Sequence, residues 1–377
     1  MTRYAYPITV TIYPAPLPYH SGQIYTGLFE LRKLGLVDLK FAHRRPPVGH
    51  DGVSKSILLI DAVDHMTETS SRICFDLEDY MEITSIDLLR HCDVYFKRSY
   101  DATYLMSLGK DHKAKVIPYG LNYPSFSTRD SVYLRHMLLS HMIHEGSKVL
   151  ANSSLTVIAY KLKNLVFDLG FPLINDFEVV PASSVVERIL FLSRVYSPSE
   201  APKFYSKSPH KFHELNNMRA AVVQALKREF GPRFCGGLVP SVFAKQQYPN
   251  CIAEVSTHQR NFLNLMKYSL IGVTTLGLHG STGFKLAEYI ACGLCVVTEP
   301  LMFEIPVPLI ENENLISFTS AEECILACQK LLSDRSLAME MRKNNIRYYL
   351  NELYPPLLIF KKLKTAIIRK INHPKTR

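Results

Sequence analysis

Between His279 and Pro300 the chain reads as a small-residue loop, a short helix, a sharp stop and a buried strand. Ser281 or Thr282 can cap a helix whose first turn holds Gly283, Phe284 and Lys285, and Gly293 falls where a left-handed residue would end it. Leu294 to Val297 is then a short apolar strand. A loop of small residues feeding a helix N-terminus turns backbone N–H groups outward with the positive end of the dipole behind them. That arrangement suits a phosphate, and Lys285 adds a full charge to it. Glu288 lies about a turn and a half further along, and helical side chains lean back toward the N-terminus. Its carboxylate can therefore grip a sugar hydroxyl beyond the phosphates.

Proton transfer needs a group within reach of a hydroxyl, and the candidates follow apolar strand patterns. His20 comes after the first strand, Asp61 and Asp64 after the third, and Arg98, Ser99 and Asp101 after Val94 to Lys97. His20 and Asp101 are taken as the catalytic candidates, with Asp61 as a further base. Arg194, near the end of the run Arg188 to Val195, offers a guanidinium able to bond phosphate oxygens in pairs. A metal site is not expected. Cys292 and Cys295 straddle a helix stop and a strand, and Cys324 and Cys328 lie in a helical run, so all four read as buried thiols. His136, His141 and His144, on a helix expected over Asp130 to His144, are spaced so that they do not share one face.

Strands and helices must alternate to hold these groups. Ile8 to Tyr13 alternates apolar residues with threonine, a helical pattern runs through Leu28, Leu31 and Leu34 to Gly35, and Val37 to Phe41 is the next strand. Further strands are expected at Ile57 to Ile60, Ile73 to Phe75, Val94 to Lys97 and Lys115 to Ile117, giving a parallel sheet with helices on both faces. Active groups in such a sheet gather at the carboxyl ends of the strands. An irregular stretch from Gly170 to Ser184 reads as a linker, and Lys203 to Lys211 as a basic loop. Beyond it, Arg219 to Phe230 is helical, Thr257 caps another helix, and Leu270 to Thr274 is a strand leading into the His279 segment. The expected domains are residues 1–180 and 185–354, with 355–377 joined to the first.

The composition fits this plan. A chain of 377 residues suffices for two domains, and 47% hydrophobic with 21% charged residues is globular. No apolar run reaches membrane-spanning length and no signal-peptide core opens the chain, so a cytoplasmic location is expected. The net charge of +10 favours acidic partners. After Glu352 there is no acid, and basic residues from Lys361 to Arg377 interleave with Leu357, Leu358, Phe360, Leu363, Ile367 and Ile368. This segment, 357–377, reads as a basic amphipathic helix, either packed on the body or in peripheral contact with an anionic membrane. Nucleic acid is not an expected partner, because no helix-turn-helix or zinc-finger spacing is present.

The segment around Glu288 resembles the nucleotide-sugar site of GT-B glycosyltransferases, above all bacterial group-1 and spore-maturation-type members. Gly283, Phe284, Leu286, Glu288, Ala291, Gly293, Val296 and Val297 match the family's pattern over about twenty residues. Pro118 to Asn122 is similar to a turn of the first GT-B domain, and Arg188 to Arg194 to the strand opening the donor domain, with Ser193 where the family has glycine. The resemblance implies two Rossmann-like α/β domains facing across a cleft, with the last helix crossing back to the first domain. It implies transfer of a sugar from a nucleotide-diphosphate donor to an acceptor hydroxyl of a glycan, lipid-linked carrier or protein, with no cofactor beyond that co-substrate. Arg194, Ser281, Thr282, Gly283, Lys285 and Glu288 would bind the donor, Glu288 at its ribose, and His20 would stand where inverting members keep a base. Retaining members place another glutamate at the position of Gly280, which puts a retaining course in doubt. The alternative reading is a nucleotide-sugar or polyanion binding protein that does not catalyse.

Overall fold

The computed structural model describes residues 7–15, 20–44, 56–109, 115–127, 139, 172–177, 179–200 and 209–372. His136, His141, His144 and most of the basic loop from Lys203 lie outside the described residues. The chain divides into two compact units. The first comprises Met1–Ile174, Glu304–Pro306 and Glu352–Arg377, and the second Asn175–Phe303 and Val307–Asn351. Both are α/β.

The first unit opens with β1 (Ile8–Ile12), α1 (Gly22–Lys33) and β2 (Val37–Phe41), the two strands paired in parallel. There follow β3 (Ile57–Asp64), β4 (Thr69–Asp76), α2 (Ile86–His91), β5 (Val94–Lys97), α3 (Ala102–Ser107) and β6 (Val116–Pro118). The strand order is β2-β1-β3-β4-β5-β6. One strand breaks the expected parallel pattern: β3 runs antiparallel to both β1 and β4. The reason is local. β3 and β4 are joined by residues 65–68 alone, too few for a crossover helix. Asp64 Oδ1 accepts from the Met66 N–H at 2.9 Å, and Glu68 takes a left-handed φ of 52° to close the turn. Asp61 and Asp64 therefore belong to the strand itself and not to a loop after it.

The second unit runs β7 (Val186–Ser193), α4 (Pro209–Phe230), β8 (Phe234–Leu238), α5 (Val242–Gln247), α6 (Gln259–Lys267) and β9 (Ser269–Thr274). It continues through α7 (Phe284–Ala291), β10 (Cys295–Thr298), β11 (Leu315–Ser317), α8 (Ala321–Ser333) and α9 (Arg335–Tyr348). Its sheet, ordered β11-β10-β9-β7-β8, is parallel throughout. Every residue of β9 and β10 is buried, as strands covered on both faces must be. Cys292, Cys295, Cys324 and Cys328 are free thiols buried here. Two sequence expectations shift: α4 begins at Pro209, a full ten residues before Arg219, and His258, not Thr257, is the N-cap residue of α6.

The chain then returns to the first unit as α10 (Pro355–Asn372), with proline in the first turn, where no intrahelical N–H is needed. Its apolar face, including Leu358, Ile359, Leu363 and Ile367, joins Ile8, Val10, Ile24 and Leu28 in one hydrophobic core. The apolar face of the basic C-terminal segment is thus occupied by packing. Lys362 lies on that face, 7% exposed, with Nζ donating to the Pro118 carbonyl at 3.0 Å and set over the rings of Phe96 and Tyr119. Burial pushes its pKa down to about 7. With the folded value below the unfolded one, the parent gains stability as pH rises from about 7 toward the usual lysine range. Lys362→Met is therefore expected to stabilise the fold by about 1–3 kcal/mol at neutral pH, with a smaller gain near pH 10. Thermal unfolding across pH measures this, and a destabilised variant at pH 7 contradicts it.

Candidate functional site

In the second unit the chain lays β7 first, then β8 on one side of it and β9 on the other, so the strand order reverses between β7 and β9. Parallel α/β sheets open a crevice at such a point, beyond the carboxyl ends of the strands. The loop from Thr275 to Gly283 leaves β9 there and enters α7. Gly277 N–H donates to the Ser281 carbonyl at 2.6 Å and Ser281 N–H to the Leu278 carbonyl at 3.0 Å, which closes the loop on itself. His279 and Gly280 are both left-handed, with φ of 58° and 72°. A side chain at Gly280 would be strained by that φ and would run into Met302. The position that carries a glutamate in retaining relatives of the resembled family is thus unsuited to one in this chain.

The helix start differs from the sequence expectation. Gly283 is the N-cap residue, Phe284 the first helical residue, and no side chain caps the end. Ser281 is turned back into the loop and is 2% exposed, so neither it nor Thr282 caps α7. The other end conforms: Leu294 N–H bonds the Tyr289 carbonyl and Gly293 N–H the Ile290 carbonyl, with Gly293 at φ 66°, a Schellman stop. Glu288 is not a surface group. It is 2% exposed and takes a 2.6 Å bond from Lys285 Nζ on Oε2. The ammonium stands 4.6 Å from the centre of the Phe262 ring on α6. Lys285, itself half-buried, thus bonds a buried carboxylate one turn along its own helix.

Arg194, directly after β7, is exposed, and its carbonyl accepts a bond from Arg219. Arg219 was read from the sequence only as the start of a helix. The signal available was its register: Arg219, Val222, Val223 and Leu226 share one face of α4, so a charge sits on an apolar stripe. Glu299, directly after β10, was also missed. Its Oε2 accepts from Leu276 N–H at 2.8 Å, and burial pushes its carboxyl pKa up.

In the first unit, groups at the carboxyl ends of β1, β4, β5 and β6 meet. The His20 carbonyl accepts from Asn122 Nδ2 at 3.1 Å, Asn122 Oδ1 accepts from Arg98 Nη1 at 3.2 Å, and Arg98 pairs with Asp79. The turn Pro118 to Asn122 is what delivers Asn122 to the His20 loop. Burial, with the Arg98 charge beside it, pushes the His20 pKa down to about 4, so its imidazole is neutral at neutral pH. Asp101 is the N-cap of α3, with Oδ1 accepting from Tyr104 N–H at 2.8 Å. Asp61 is held by Arg72 through two bonds of 2.8 and 3.1 Å and by the Tyr13 hydroxyl at 2.7 Å. Sitting inside an antiparallel strand, it is not among the groups gathered around His20.

No family model matches the chain, and no curated protein matches it. Solved structures similar to it include the C-terminal domain of a group 1 family glycosyl transferase from Francisella tularensis, at 13% identity and TM-score 0.31 over 48% of this chain and 96% of that one. Another is the HepE protein of Anabaena in complex with UDP, at 13% identity and TM-score 0.32 over 72% of this chain and 91% of that one. A third is UDP-GlcNAc 2-epimerase from Neisseria meningitidis bound to UDP-GlcNAc, at 12% identity and TM-score 0.35 over 74% of this chain. The chain spans 63% of that epimerase, under two thirds of its length. The structures it is similar to thus include glycosyltransferases, the class that the Glu288 segment resembles. At these identities and TM-scores none of the likenesses assigns an activity to this chain.

Proposed function

We propose that the chain is a glycosyltransferase that moves a sugar from a nucleotide-diphosphate donor, bound by the second unit, to an acceptor hydroxyl, with no metal in the reaction. The observation that carries this reading is the start of α7. A helix N-terminus with no side-chain cap follows β9 at the switch point of a parallel sheet, with Glu288 buried one turn inside it and bonded by the half-buried Lys285. In this reading the loop amides of Ser281 to Gly283, with Arg194 and Lys285, stabilise charge on the leaving diphosphate. Lys285 leaves Glu288 for the phosphate, and Glu288 takes the ribose hydroxyls. His20, neutral beside Arg98, accepts the acceptor's proton, with Asp101 as the weaker candidate because its carboxylate already caps a helix.

A second reading, a nucleotide-sugar or polyanion binding protein without catalysis, is favoured by one observation. An imidazole with a pKa of about 4 is always ready to accept a proton but is a weak base. The experiment that separates the two is release of free nucleoside diphosphate from UDP-, GDP- and ADP-sugars in the presence of glycan and lipid-linked acceptors. Acceptor-dependent release is the expected result. Donor binding without release supports the second reading, and absence of both binding and release contradicts the two together. The cytoplasmic location belongs to this reading as well. Among the described residues no helix is long and apolar enough to cross a membrane. A contact with anionic lipid would fall to the outer stripe of α10, where Leu357, Ile368 and Ile371 are 37, 52 and 47% exposed beside Lys361 and Lys364.

A further inference from the structure

One charged side chain of the second unit sits where apolar ones are expected. Arg219 is 4% exposed, on the face of α4 that supplies Val222, Val223 and Leu226 to the core. A guanidinium in that position is costly unless its N–H groups are satisfied. Each of its three nitrogens has a different acceptor: Nε bonds Thr275 Oγ1 at 3.0 Å, Nη2 the Leu276 carbonyl at 2.7 Å, and Nη1 the Arg194 carbonyl. The Tyr196 ring covers it, 5.5 Å from centre to guanidinium carbon. All three acceptors are neutral. After Tyr196, the charge of Glu299 also reaches it, and that carboxylate accepts from the N–H of Leu276, whose carbonyl the guanidinium bonds.

The position of those acceptors gives the network its meaning. Arg194 follows β7, and Thr275 and Leu276 follow β9, the two strands between which the sheet order reverses. One planar group therefore spans the gap where a parallel sheet opens its crevice. The residues it grips are the first two of the loop that leads to α7. Beyond them the backbone turns through the Gly277–Ser281 bond and two successive left-handed residues, so an error in where the loop starts is carried to its end.

We infer that Arg219 is the positioning residue of the donor site, fixing the start of the phosphate-binding loop against the end of β7 and leaving a buried positive charge behind it. The inference rests on the donor-site reading above and names the means by which that site is held. It acts on a diphosphate without touching it. Lysine at this position keeps the charge but cannot present three donors in one plane, and glutamine keeps neither.

The test uses the full chain as parent, R219K, R219Q and L331A, with titration calorimetry against UDP, GDP and ADP and hydrogen exchange over 275–288. Leu331 is wholly buried in α8 within the same unit, so L331A costs stability through a cavity and serves as the control. R219Q is expected to weaken the best-bound nucleoside diphosphate at least tenfold and to speed exchange at 275–283. R219K should recover part of the affinity, and L331A should lower Tm while changing neither readout. The inference is overturned if R219Q binds as the parent does, or if L331A weakens binding as much. If the parent binds none of the three nucleotides, the donor-site reading fails and exchange alone decides: faster exchange at 275–283 in R219Q but not in L331A upholds the positioning role, and equal exchange removes it. Thr275→Val, which deletes one acceptor, carries the same readouts should R219Q not fold.

Discussion

His20→Ala is expected to lower turnover about a hundredfold or more while leaving donor affinity close to the parent's. The imidazole lies in the first unit, where Asn122 fixes its backbone and Arg98 is bonded to that asparagine, so the variant disturbs no group of the helix start at α7. The pH dependence adds a sharper expectation. Burial and the Arg98 charge hold the imidazole pKa of the free protein at about 4, so the acid limb of kcat/KM should fall near that value and not near 6.5. The same shift makes a stability statement. The folded value lies below the unfolded one, so the neutral imidazole's contribution is complete above about pH 6.5 and is lost as pH falls toward 4. His20→Ala should flatten unfolding free energy across that window. Turnover equal to the parent's would remove His20 from the chemistry.

Glu288→Gln is expected to reduce donor affinity at least tenfold, about 1.4 kcal/mol. A carboxylate accepting from both ribose hydroxyls makes charge-assisted bonds that an amide weakens. The structure changes the second half of this expectation. A donor-binding carboxylate in an open site would contribute little to the fold, whereas the Glu288 side chain is 3% exposed and paired with Lys285. Removing the charge of the buried member leaves the partly exposed Lys285 without its partner, so a stability loss of up to about 1 kcal/mol should accompany the loss of affinity. Binding must therefore be measured well below the variant's Tm. A variant that binds every donor as the parent does would make the Lys285–Glu288 pair purely structural.

What the sequence made legible was set by local rules. β2 and β5 fall at the expected residues because short apolar runs bounded by turn residues have few other readings. The Gly293 stop is legible because a left-handed position selects glycine. The helix start was misread because Ser281 and Thr282 are good caps by type, and only the loop's closure at Gly277 shows Ser281 turned inward. The antiparallel β3 escaped for a similar reason. Whether four residues make a hairpin or join helical pieces depends on the strands they connect.

Two buried cations escape the sequence for the same cause. Arg219 and Lys362 are cations on apolar faces, and composition counts them as solvated charges, as with the basic C-terminal segment. Only packing shows that Arg219 satisfies three acceptors and that Lys362 lies over two rings. Asp61 and Asp101 show the reverse case. Both have the residue type that acid–base chemistry uses, and the bonds of each, to Arg72 and Tyr13 or to the Tyr104 N–H, are fixed by neighbours that spacing alone does not reveal.

In the proposed reaction a nucleotide diphosphate binds at the start of α7. Hydrogen exchange of the full chain, with and without the tightest binder among UDP, GDP and ADP, tests it most directly. Slowed exchange over residues 275–288 is expected, because loop and helix-start amides bond the phosphates. Calorimetric binding accompanied by protection elsewhere, with 275–288 unchanged, would contradict it.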